Sequence, residues 1–131
     1  MKNAVFSFLL LNMMMPLLSH AKTAPVTKQV NVTVSSAYVP GGFSSTTDAY
    51  VIVSGMFSNS CYQWDRADVN NLNAFTHEIR VIADVTQNMM CAMHLVPYQK
   101  EVDLGVLQSG AHTLRFIGGD GTYFEQGLTI E

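Results

Sequence analysis

Met89-Met90-Cys91-Ala92-Met93-His94 is the densest run of potential ligands in the sequence. Thioether sulfur prefers Cu(I), and imidazole suits either oxidation state of copper. The run therefore suggests a copper- or other metal-handling site built on Met90 and His94. Strand geometry counts against it. On an extended chain Met89, Cys91, Met93 and Leu95 face one way, and Met90 and His94 face the other. Four residues of strand then hold Met90 and His94 about 13 Å apart. On that reading Met89 and Met93 are core packing, where methionine fills irregular gaps, and no cofactor is expected.

Other catalytic chemistry finds little support. His77, His94 and His112 form no His-x-His or His-Glu-x-x-His pattern, so a zinc-type site has no basis. His112 shares an alternating face with Leu114 and Phe116 and reads as a hydrogen-bonded structural histidine. No serine stands in Gly-x-Ser-x-Gly. Asp65 and Asp68, near Asn70 and Asn71, lack calcium-loop spacing and a terminal glutamate, and read as a solvated loop. Gly118-Gly119-Asp120-Gly121 opens no helix and precedes no Lys-Ser/Thr pair, so it is a hairpin turn rather than a phosphate cradle. The chain is expected to have no catalytic residues and not to be an enzyme.

Two cysteines, Cys61 and Cys91, remain. Their meaning depends on compartment, and residues 1–21 address that. Met1-Lys2-Asn3 carries a positive charge, Ala4–Leu18 is nearly all apolar, and Ser19-His20-Ala21 is a small-x-small step. That order is a secretory signal, cut before Lys22. The apolar stretch is short of the roughly 20 residues that span a bilayer, and nothing later is longer. Residues 22–131 then form one secreted or periplasmic domain. In an oxidising compartment two cysteines are most simply one disulfide, with a reactive or metal-binding thiol as the rival. Tyr62 and Trp64 beside Cys61 could anchor a partner or a sugar; packing of Trp64 against the disulfide is the plainer reading.

The whole chain carries a formal charge of −3. Its basic residues after the signal are scattered, with no stripe to meet nucleic acid or an anionic membrane. Apolar residues alternate along Val30–Val34, Ala49–Phe57, His77–Val85 and Ala111–Ile117, the period of strands. Met89–Val96 and Gln99–Leu104 read as two strands split by Pro97, and Asp65–Ala74 reads as loop or a short irregular strand. Turn residues recur at Pro40-Gly41-Gly42, Gly105, Ser109-Gly110 and Gly118–Gly121. The pattern predicts an all-β sandwich of seven or eight short strands with Greek-key or Ig-like connections.

Certain residues are also familiar in their order. Gly55-Met56-Phe57-Ser58-Asn59-Ser60-Cys61-Tyr62 is followed by the second cysteine, Val96-Pro97-Tyr98, Leu104-Gly105-Val106-Leu107 and Gly110-Ala111-His112. The order resembles a loose group of small secreted bacterial Ig-like β-sandwich domains, mostly uncharacterised. They share a paired cysteine, a Val-Pro-Phe/Tyr step and a Leu-Gly-x-Leu-x-x-Gly hairpin. Ser58 stands where that group usually has proline, and His112 where it has tyrosine. The resemblance implies an Ig-like sandwich, a structural disulfide and a bacterial envelope or extracellular setting, with no activity attached.

The expectation is therefore an exported, non-catalytic binding module for a protein or glycan partner. A periplasmic metal handler using the Met/His stretch is the alternative, and a secreted protease inhibitor is third.

Overall fold

The computed structural model describes residues 24–131; the signal segment expected over residues 1–21 lies outside the described residues. Eight strands follow one another: β1 (Thr27–Val32), β2 (Ser36–Tyr38), β3 (Asp48–Phe57), β4 (Tyr62–Asn73), β5 (Thr76–Thr86), β6 (Val96–Val106), β7 (Gly110–Ile117) and β8 (Tyr123–Ile130). There is no helix among the described residues. The strands form two sheets, so the expected all-β sandwich is present.

The three-stranded sheet has the order β2-β3-β6, and the five-stranded sheet contains β1, β4, β5, β7 and β8. After β1 the chain alternates between them: the β2–β3 pair, the β4–β5 hairpin, β6, then the β7–β8 hairpin. β5 lies at the centre of the larger sheet. β4 pairs along one edge of it from Val85 to Thr76. The other edge is shared end to end, by β1 against Val81–Thr86 and by β7, in parallel, against Thr76–Ile79.

The core follows from the alternation. β5 sends Ile79, Val81 and Ala83 inward, β7 sends Leu114 and Phe116, and β8 sends Leu128 and Ile130. Facing them from β3 are Ala49, Val51, Val53 and Phe57, with Tyr98 and Val102 from β6. One contiguous cluster joins both sheets, as a two-layer domain requires. The outward face of the larger sheet is charged instead: Glu78 meets Arg80 at 3.1 Å and Arg115 at 3.7 Å, and Arg115 meets Glu125 at 3.1 Å.

Three local expectations are corrected. Residues 65–73 are an irregular strand rather than a loop, and not a short one: they complete the 12-residue β4. Register shifts between Trp64 and Arg66 and between Asn71 and Asn73 break its period-2 pattern. Asp65 and Asp68 both bind the Arg66 guanidinium there, the latter at 2.9 Å. Pro97 does not split two strands, since β6 runs through it opposite Met56. β6 is an edge strand, where a missing N–H costs no ladder bond. Gly105 is not a turn: at φ 73° it sits beside the register shift at Ala49/Tyr50.

Glycine matters most at position 55. Gly55 pairs with Tyr98 across β3 and β6, and the Tyr98 hydroxyl crosses to donate to the Thr33 carbonyl at 2.9 Å. The ring covers the space above Gly55, so a Cβ there would lie 2.5 Å from Tyr98 Cζ. Gly55→Ala is expected to destabilise the domain by about 1–3 kcal/mol in urea unfolding, through forced displacement of the ring. Gly127→Ala places its Cβ in open space and serves as the control. Equal stability of the two variants would contradict the packing described.

Candidate functional site

Two connections pass between the sheets at one end of the sandwich. Residues 58–61 carry the chain from β3 to β4, and residues 87–95 carry it from β5 to β6. Cys61 and Cys91 join them in a disulfide, with Cα atoms 5.4 Å apart and 30 residues between. Backbone bonds reinforce the join. Ser60 N–H donates to the Ala92 carbonyl at 3.1 Å, and Ala92 N–H donates to Ser60 Oγ at 2.7 Å. The disulfide is compatible with an oxidising extracellular or periplasmic environment.

This join overturns the strand expected over Met89–Val96. Asn88 takes a left-handed conformation at φ 59°, which turns the chain out of β5. His94 N–H then donates to the Ala92 carbonyl at 3.0 Å, a three-residue turn with Met93 at its centre. β6 begins only at Val96. Met89 and Met93 are therefore not core residues. Met89 is 59 % exposed, Met93 84 % and Met90 96 %, and Leu95 is exposed beside them. His94 is also exposed. Residues 87–95 contain no Asp, Glu, Lys or Arg.

Tyr62 and Trp64 lie on β4 opposite Val85 and Ala83, on the core side. Both are half-buried. Tyr62 stacks on Phe57 with ring centroids 5.9 Å apart, and Trp64 packs on Tyr98 at the same distance. Burial pushes the Tyr98 phenol up to about 12. A groove of about 540 Å³ opens beside Tyr98, lined by Ser35, Ser36, Ser54, Gly55, Met56, Pro97 and Gln99. No His, Asp or Glu lies among these lining residues to act as a general base.

A second cluster sits away from the methionine loop, with Asn71 near the end of β4, His77 and His112 near the starts of β5 and β7, and Gln108 in the β6–β7 connection. His77 and His112 are each 2 % exposed, with His77 Nε2 and His112 Nδ1 2.9 Å apart. Their hydrogen bonds can be ordered from one fixed point. The Gln108 carbonyl can only accept, so His112 Nε2–H donates to it at 2.7 Å. Neutral His112 then accepts at Nδ1, and His77 Nε2–H is the donor. Asn71 Oδ1 lies 2.6 Å from His77 Nδ1, which fits a protonated His77. Half a turn of the Asn71 amide would put its N–H there and fit a neutral one. The cluster accommodates one added proton in this way. A second would set N–H against N–H.

His112 is thus bonded at both ring nitrogens, and its partner His77 is the residue that sequence reading passed over. The signal was present: His77 has the same parity as Ile79 and Val81 on an alternating strand. Among the described residues no three His, Cys, Asp or Glu side chains gather as a metal-ligand set.

Burial, and secondarily His112, pulls the His77 pKa below the usual histidine value. As pH falls, the unfolded chain therefore takes up its proton first. The stability from this cluster is complete above the unfolded value of about 6.5 and drains as pH drops through it toward the lower folded value. Urea unfolding midpoints are expected to fall between about pH 7.5 and pH 5, and His77→Gln should flatten that fall. An identical pH slope in both proteins would contradict the arrangement.

With this geometry established, comparison places the chain among known domains. No curated protein and no solved structure gives a match. A family model described as the ORF11 beta-sandwich domain matches residues 51–129, from the middle of β3 almost to the end of β8. The chain belongs to that ORF11 β-sandwich family.

Proposed function

We propose that this chain is an exported, non-catalytic interaction module that docks onto an apolar surface of a partner protein through the loop at residues 87–95. The observation behind it is the pinned exposure of Met89, Met90, Met93 and Leu95. Large apolar side chains gathered at one loop cost solvation, and such patches mark interaction sites. Here the crosslink and the Ser60–Ala92 bonds keep them from folding back into the core. Val26, bonded through its carbonyl to Gln87 N–H, and Met56 add exposed apolar surface close by. Methionine is flexible and polarizable, so a methionine-rich tip adapts to a partner's groove.

The loop has no charge, which favours an apolar protein groove over a glycan or an anionic headgroup. The charged outer face formed by Glu78, Arg80, Arg115 and Glu125 is the surface least suited to this role. Export, an Ig-like arrangement and a bacterial envelope setting belong to the same proposal.

A photoreactive side chain at position 90 is expected to crosslink a partner protein in the producing cell, whereas the same group at Glu125 should not. Met93→Asp should cut the yield about tenfold or more, as expected of a central contact. Equal adducts from positions 90 and 125, or adducts from 125 alone, would contradict the assignment.

A further inference from the structure

We propose that the same loop is a binding site for a soft monovalent metal ion, of the Cu(I) or Ag(I) class, held by the Met90 and Met93 thioethers and the His94 imidazole, with Met89 alongside. The proposal does not depend on docking to a partner. It rests on the shape of the loop and the chemistry of its donors.

The geometric objection read from sequence assumed a strand, on which Met90 and His94 lie about 13 Å apart on one face and Met93 points away. The chain is not a strand there. The left-handed Asn88 and the turn closed by His94 N–H on the Ala92 carbonyl curl residues 88–94. Strict alternation is lost, and donors that a strand would hold on opposite faces share one loop. That loop is tethered at Cys91 by the disulfide and at Ala92 by Ser60. The tether lowers the ordering cost of bringing the side chains together.

The donors are also free. Met90 and Met93 are the most exposed of the large apolar side chains, and His94 is exposed as well. Among the described residues no hydrogen bond engages the His94 ring. Neither thioether is committed to the core cluster.

Donor type sets the metal. Thioethers select soft ions such as Cu(I), and imidazole tolerates them. Hard divalent ions favour carboxylates, and borderline ones several imidazoles or thiolates; residues 87–95 offer a single imidazole, no carboxylate and no free thiolate, because Cys91 is bridged. A site of neutral donors leaves the whole charge of the ion uncompensated, which favours one positive charge over two.

The test uses the oxidised chain from Lys22 onward, titrated with Ag(I) as a redox-inert probe and with Cu(I) in competition with a chromophoric chelator. Methionine methyl and histidine ring signals are followed by NMR. One ion per chain is expected, with a dissociation constant below about 1 μM. The methyls of Met90 and Met93 and the His94 ring should shift, while Met56, His77 and His112 stay fixed. Met90→Leu/Met93→Leu keeps the apolar surface and should weaken binding about tenfold or more at unchanged thermal stability. Equal binding by the wild type and that variant would overturn the proposal. So would equal shifts at Met56 and the loop methyls, or no complex with the metal in excess. Since leucine preserves the apolar surface, a chain with the photoreactive group at position 90 and Met93→Leu has lost both thioethers yet should still crosslink, so the two readings fail separately.

Discussion

The constraint on which the rest depends is the Cys61–Cys91 bond between two inter-sheet crossings. One connection leaves the smaller sheet after β3, and the other returns to it before β6. Tying them fixes how the two sheets meet at that end. A bond across 30 residues removes roughly 3–4 kcal/mol of unfolded-chain freedom on the loop-entropy account. For a domain this small that is a large part of a total near 5–15 kcal/mol. The same bond has a second effect. It ties to the other connection the segment that carries three exposed methionines.

The two ends of the sandwich therefore differ in kind. At the crosslinked end, covalent geometry holds apolar and soft-donor side chains in solvent. At the other end, β4–β5 and β6–β7 meet through hydrogen bonds that link the buried His77 and His112 to the exposed Asn71 and Gln108. Buried polar groups of this kind are costly unless every partner is supplied. Here each imidazole nitrogen has one. Stability at that end follows pH, and shape at the crosslinked end follows redox state.

Much of the fold was legible because both faces of the central strands are simple. Ile79, Val81 and Ala83 alternate cleanly, as do His112, Leu114 and Phe116, and the structure puts both sets inside. β4 was illegible for a definite reason: two register shifts reset its phase, so polar and apolar residues lost their period. The parallel β5–β7 pairing leaves no local mark in either strand, and without it His77 and His112 are merely 35 residues apart.

The methionine loop shows the same limit at the candidate site. Its residues were singled out from sequence, but alternation assigned Met89 and Met93 to the core. Alternation describes a chain free to pair, and this segment is tied by a sulfur bridge to a different connection. The direct measurement is amide hydrogen exchange on the oxidised and the reduced protein. In the oxidised protein the Ser60 and Ala92 amides, bonded to each other's residue, should be protected. Reduction should strip that protection to the level of an unfolded chain while the Val81 and Leu114 amides in the core keep a measurable share of theirs. Unchanged protection at Ala92 after reduction would contradict the claim that the crosslink holds the loop in place.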